Sequence, residues 1–268
     1  MGSAERPASG KTLAIVLCAG QGSRMGAAQN KIFLPLAGAP VATHAIGAFQ
    51  RSPLVDEILV LAHPDEITRI REEIVERYAL SKVSGVLAGG ASRHQSEERA
   101  LDAVRERILS GEIALVMIHD GARPLISGED IARLVAAIRA LPSPGGALLV
   151  TPVAASEHIA RIDSAGVVEE VFAAGELARA QTPQGFEART LLAAYDQARQ
   201  ASYEGTDTAS VVEATGARVV IAPGDETNIK ITTPDDLLRA EATLRARPTS
   251  NSWPRVTENH REPPRRRK

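Results

Sequence analysis

The chain has 268 residues, 44% of them apolar and 24% charged, with a formal net charge of −2. These values fit one large or two small globular domains and exclude a disordered, fibrous or collagen-like chain. They leave no positive field to hold nucleic acid by its phosphates, the lone Cys18 excludes an internal disulfide framework, and no apolar run approaches the ~20 residues that span a bilayer.

Residues 1–11 are short and polar and lack a signal-peptide core. They are expected to be a disordered leader, and the cytoplasm is the expected location. Between this leader and residue 247, strand signals alternate with helix signals. Leu13–Cys18, the Ile58–Leu61 stretch within Glu57–Ala62, Leu115–Ile118 and Ala147–Val150 are apolar throughout, as strands buried on both faces are. Leu101, Val104 and Ile108 repeat at helical spacing after Ser96. Ile131, Leu134, Val135 and Ile138 do the same within Gly128–Leu141. Strands alternating with such helices predict βαβ units: an α/β, Rossmann-like, mostly parallel sheet with helices on both faces. Residues 153–179 break the alternation. They read as two extended segments around the turn signal Asp163-Ser164-Ala165-Gly166, an inserted β-arm that packs either on a partner subunit or on nothing. From Arg247 the sequence is rich in proline and ends Arg265-Arg266-Arg267-Lys268. It reads as a solvated disordered tail, with Trp253 outside the core.

In open α/β sheets ligands bind outside the carboxyl ends of the strands. After the first strand comes Cys18-Ala19-Gly20-Gln21-Gly22-Ser23-Arg24-Met25-Gly26, then Lys31. The glycines let backbone N–H groups approach a phosphate chain. Arg24 and Lys31 add two fixed cations, which attack at the α-phosphate of a nucleoside triphosphate requires and a dinucleotide fold does not. Gly89-Gly90 opens a second cluster that runs to Ser96; its glycines permit close contact with a flat base, and Ser96 either bonds the base or caps a helix. In His119-Asp120-Gly121-Ala122-Arg123-Pro124, Asp120 is placed to hold Mg²⁺ bridging phosphate oxygens. Arg123 either meets a phosphate or pairs with Asp120. Two further clusters are Gln181–Phe186 and Gly205–Ser210. In the last, Asn228–Leu237, Lys230 sits between apolar residues in an expected strand. Burial of an unpaired lysine is costly, so it faces phosphate, or else Asp207 or Asp225.

Together these six blocks, in order and spacing over about Thr12–Leu244, resemble the 2-C-methyl-D-erythritol 4-phosphate cytidylyltransferase family. The resemblance implies a nucleotidyltransferase of the nucleotide-diphospho-sugar transferase fold type, one domain over 12–246 with an arm at about 153–179. It implies CTP, Mg²⁺, release of pyrophosphate, a role in non-mevalonate isoprenoid synthesis, and a homodimer formed through the arm, with no nucleic-acid or membrane partner. Carried over by position, Arg24 and Lys31 are the catalytic pair. Ala19, Gly20, Gly22, Gly90, Ser96 and Lys230 contact the nucleotide; Asp120, Arg123 and Ser156 serve the acceptor, Asp120 also on the metal side. The chain departs from the family in the arm. Ala155 and His158 stand where an acid and a lysine are usual, Ser156 replaces threonine, and Ala174 takes the place of an arginine for which Arg161 or Arg179 would have to substitute. Asn30 replaces proline before Lys31. The other readings are a cytidylyltransferase for another polyol phosphate such as ribitol 5-phosphate, a non-catalytic nucleotide-binding paralogue, and a dehydrogenase with Asp65 as its ribose contact.

Overall fold

The computed structural model describes residues 10–20, 30–173, 175 and 177–246. Residues 1–9 of the leader, Gly22, Arg24, Ala174 and the basic tail lie outside the described residues; Lys11, expected in the leader, instead opens β1, its N–H donating to the Glu112 carbonyl at 2.7 Å. In chain order the strands are β1 (Lys11–Cys18), β2 (Pro35–Leu36), β3 (Ala39–Pro40), β4 (Glu57–Ala62), β5 (Val83–Ala88), β6 (Ile113–Asp120), β7 (Gly145–Pro152), β8 (Ile159–Ile162), β9 (Val168–Phe172), β10 (Ala178–Glu187) and β11 (Arg218–Pro223). The helices are α1 (Val41–Arg51), α2 (Ile67–Ile70), α3 (Arg93–Ala103), α4 (Arg105–Leu109), α5 (Gly128–Arg139), α6 (Ala188–Ala201), α7 (Thr208–Glu213) and α8 (Pro234–Ala246).

Among the described residues the main sheet has seven strands in the order β11-β7-β10-β6-β1-β4-β5. In it only β10 runs antiparallel, wedged between β6 and β7. The apolar strand runs arise because both faces are covered. On β1, Ala14, Val16 and Cys18 enter one core with Ile46 and Phe49 of α1 and Leu134 of α5. Leu13 and Ile15, alternating with them, enter a second core with Leu101 of α3, Leu191 and Tyr195 of α6 and Val211 of α7. This is the period-2 alternation of a strand with an apolar layer on each side.

A third, small core joins Leu36, Val41, Leu125, Ile231 and Ala240. It anchors the segment after β11 against the strand ends, through Ile231 N–H donating to the Ala122 carbonyl at 2.8 Å.

The arm is present as the antiparallel pair β8–β9. The Asp163 side chain closes its turn by accepting from Ala165 N at 2.9 Å and Val167 N at 2.8 Å. Gly166 sits at φ +84°, a conformation that favours glycine.

Three local expectations are corrected. The helix read through Leu101, Val104 and Ile108 breaks at Val104, whose φ of −114° and ψ of 10° end α3 and start α4. The N-cap of α3 is Ser92, whose side chain accepts from Gln95 N at 3.1 Å, so Ser96 lies inside the helix. Asn228–Thr232 pairs with no strand; it passes over the carboxyl end of β6, held by the Ala122 carbonyl and Arg123, and Ile229 and Ile231 pack in the small core.

Candidate active site

The carboxyl ends of β1, β4, β5 and β6 open into a cleft of about 740 Å³. It is the position that the sheet topology favours for a ligand. Ala19 and Gly20 form its floor after β1, Gly89 and Gly90 its wall after β5, and Asp120 its end after β6. Lys31 and Lys230 complete the rim.

Gly89 and Gly90 are required by the protein itself. A Cβ on Gly89 would lie 2.4 Å from Ala19 Cβ, and one on Gly90 would lie 2.3 Å from Gln95 Cβ. The two loops therefore close against each other only with glycine there. Ser96 fixes the same turn. Its hydroxyl accepts from Gly90 N at 3.0 Å and donates to the Ser92 carbonyl at 2.9 Å. Arg99 holds the Gly89 carbonyl at 2.5 Å.

Asp120 is the electrostatic centre. Its carboxylate lies 2.8 Å from Lys230 Nζ, 3.6 Å from Arg93 Nε and 3.7 Å from Arg123 Nε. Burial alone would push this carboxyl up. The three cations outweigh burial and hold it well below the usual carboxylate range. Its backbone N–H donates to Thr182 Oγ1 at 3.0 Å. The Thr182 hydroxyl is thereby left to donate to His119 Nδ1 at 3.1 Å, and His119 Nε2–H donates to the Arg123 carbonyl at 3.1 Å. Burial pushes His119 down to about 4, so the ring is neutral and structural. Cys18 lines the cleft as a thiol, pushed up to about 12 by burial and by the nearby carboxylates of Glu66 and Asp120.

Lys230 is 40% exposed rather than buried, and Asp120 is its partner, in place of Asp207 or Asp225. Asp207 instead caps α7 and accepts from Gln184 Nε2 at 2.7 Å. Lys31 projects from a 3-10 turn, Lys31–Phe33, and donates to the Ile231 carbonyl at 2.9 Å. Asn30 caps that turn by accepting from Ile32 N at 3.3 Å, and donates to Glu66 at 2.8 Å. Arg123 is 13% exposed and donates to the Asn228 carbonyl at 2.8 Å, so its guanidinium ties the crossing segment to β6.

Ser156 is exposed at the base of the arm and does not line the cleft. Arg161 pairs with Glu169 and Glu170 at 3.0 and 2.8 Å, and Arg179 pairs with Glu157. Both arm cations are engaged within the arm and its base. Arg93 and Arg99 were not singled out from sequence. The available signal was two arginines just past a glycine pair that ends a strand. Among the described residues no three His, Cys, Asp or Glu side chains gather to hold a metal ion, and no helix is long and apolar enough to cross a membrane.

The profile of the family "IspD: 2-C-methyl-D-erythritol 4-phosphate cytidylyltransferase" matches residues 12–246. The chain belongs to this cytidylyltransferase family. It is 39% identical over 232 residues to the 2-C-methyl-D-erythritol 4-phosphate cytidylyltransferase of Geobacter metallireducens, covering 87% of this chain and 97% of that one. It is 40% identical to the Pelotomaculum thermopropionicum protein of the same name, covering 88% and 95%. Among solved structures it resembles 4-diphosphocytidyl-2C-methyl-D-erythritol synthase from Anaerococcus prevotii, with a TM-score of 0.73 at 25% identity over 88% of this chain and 99% of that one. It also resembles the Thermus thermophilus cytidylyltransferase, with a TM-score of 0.66 at 30% identity over 86% and 98%. Membership in the cytidylyltransferase family disposes of the dehydrogenase reading; Asp65 lies on the exposed turn after β4, 91% exposed at its side chain.

Proposed function

We propose that this chain transfers a cytidylyl group from CTP to 2-C-methyl-D-erythritol 4-phosphate in the cytoplasm, as a step of non-mevalonate isoprenoid synthesis. An acceptor phosphate oxygen attacks the α-phosphorus, the bond from that phosphorus to the α,β-bridging oxygen breaks, and pyrophosphate leaves. The observation that carries this reading is the meeting of Lys31 and Lys230 at one cleft whose far end is Asp120. Lys31, with Arg24, stabilises charge that grows at the α-phosphate, and Lys230 exchanges Asp120 for the triphosphate. Ala19, Gly20, Gly22 and Gly90 receive the nucleoside and its phosphates, with Ser96 holding the Gly90 turn. Asp120, braced by Arg123, forms the acceptor side within the cleft; Ser156, exposed on the arm, stands outside it. No side chain is asked to act as a nucleophile; positioning and fixed charge do the work.

Asp120 offers one hard oxygen donor. That suits Mg²⁺ bound chiefly by triphosphate oxygens and water, entering with CTP. The ion, when bound, neutralises phosphate charge.

Pyrophosphate release from CTP and Mg²⁺ is measured with methylerythritol phosphate, with ribitol 5-phosphate and without acceptor. Release with methylerythritol phosphate is expected. Release with ribitol 5-phosphate alone would keep the chemistry and move the acceptor, an outcome that the engaged arm cations and the Ala155 and His158 departures would explain. CTP binding without release from any acceptor would identify a non-catalytic paralogue.

The arm exposes Ile159, Ile162, Val167, Val168 and Val171, each between 37% and 64%. Such a cluster of exposed aliphatics marks a contact surface, and a homodimer built through the arm is the reading it supports. Replacing residues 159–172 with a short Gly-Ser turn is expected to halve the sedimenting mass. An unchanged mass would place the dimer contact elsewhere.

A further inference from the structure

Glu97, in the second turn of α3, is 1% exposed. It lies outside the cleft lining, yet three elements converge on it. Arg93 Nη1 approaches at 2.8 Å from its own helix. Thr208 Oγ1, at the start of α7, lies 3.2 Å from both carboxylate oxygens. Tyr195 of α6 donates its phenol O–H. Arg93 Nη1 also donates to Thr208 Oγ1 at 3.3 Å, leaving the threonine hydrogen for Glu97. A buried ion pair is weak as a source of stability relative to apolar packing, so this one calls for a different account. The guanidinium is a rigid planar fork. Fixing its Nη1 edge aims the Nε edge, and that edge faces Asp120 at 3.6 Å inside the cleft.

We infer that Glu97 is a positioning residue: with Tyr195 and Thr208 it holds the Arg93 guanidinium against Asp120, and so sets the geometry of the acceptor side. Glu97 acts only through Arg93. Burial pushes its carboxyl up to about 7 against the pull of Arg93, Tyr195 and Thr208, so without Arg93 it takes up a proton instead of remaining as an unpaired buried charge. Arg93→Met is thereby expected to fold. The inference rests on the proposed acceptor-side role of Asp120.

The test compares Glu97→Gln, Arg93→Met and the double variant. Glu97→Gln is expected to lower kcat/KM for methylerythritol phosphate by about tenfold or more, the usual scale for a supporting partner, while Kd for CTP stays within about threefold. The double variant should be no worse than Arg93→Met alone, because both changes break one chain of contacts. Additive losses, or a lower melting temperature with kcat/KM unchanged in the folded enzyme, would overturn the inference. Thr208→Val provides a milder break in the same direction should Glu97→Gln not fold. A readout independent of turnover is the Arg93 Nε–H resonance, identified by its loss in Arg93→Met. It should be sharp and slowly exchanging in the wild type and collapse in Glu97→Gln and Thr208→Val; persistence in both would overturn the inference. An inactive wild type that retains this resonance pattern would fail the acceptor reading and leave the coupling intact.

Discussion

Lys31→Ala is expected to lower kcat by about 10²–10³, the scale for removing one fixed group that stabilises transition-state charge, with little change in melting temperature. Lys31 is rim rather than core. It donates a hydrogen bond to the Ile231 carbonyl, a contact whose loss costs about 1 kcal/mol. The 3-10 turn survives the change because the Asn30 side chain caps it by accepting from Ile32 N–H, and Ile32 and Phe33 stay buried. Steady-state kinetics beside a thermal melt separate the effects. If kcat fell less than about fivefold, less than about 1 kcal/mol of barrier, Lys31 would be a solvated cation at the cleft mouth.

Asp120→Asn should be costly in both activity and stability. The carboxylate neutralises Lys230, Arg93 and Arg123 at once. Breaking a buried pair from one side costs about 3–5 kcal/mol. Lys230 is 40% exposed and water screens it, so a loss of about 2 kcal/mol is the better expectation. For a domain of this size that lowers the melting temperature by roughly 4–8 °C. The variant also carries a pH signature. The folded carboxyl titrates below its unfolded value, so its contribution is complete above the ordinary carboxylate range and is lost as pH falls through the lower, folded value. Wild-type stability should therefore fall more steeply than that of Asp120→Asn between about pH 4 and pH 2. Parallel curves over that interval would show that the cations do not hold Asp120. Turnover should drop with stability, since the variant leaves Lys230 without the anion that presents it to the cleft.

The fold was legible because its strands are covered twice. Leu13–Cys18 feeds alternate side chains to two cores, and a continuous apolar run is the pattern that does so. The strand ends were legible for the same reason: glycines and polar residues follow immediately, and the sheet carries them to one side. What the sequence concealed was partnership across the sheet. The apolar neighbours of Lys230 predict a strand and an anionic partner, but nothing local names Asp120, which comes from β6. Gln181–Phe186 reads like a site motif and is instead the antiparallel wedge between β6 and β7, where Thr182 braces Asp120 and Gln184 braces Asp207. Glu97 shows no signal, because one acid in a charged helical segment is indistinguishable from its solvated neighbours until the helix face is known.

The small third core has a temporal consequence. Ile231 joins Leu36 and Leu125 there, and its carbonyl receives Lys31 from 200 positions earlier in the chain. A ribosome delivers β1, β4, β5 and β6 long before it delivers Lys230. The nascent chain can close four adjacent strands, with Arg93 and Arg123 beside Asp120, and still lack its nearest cation, Lys230. Contacts of such separation bear the full entropy of loop closure and form late. The cleft is thus the last part of the molecule to be built, and catalytic competence arrives only after the sheet that supports it has been synthesised.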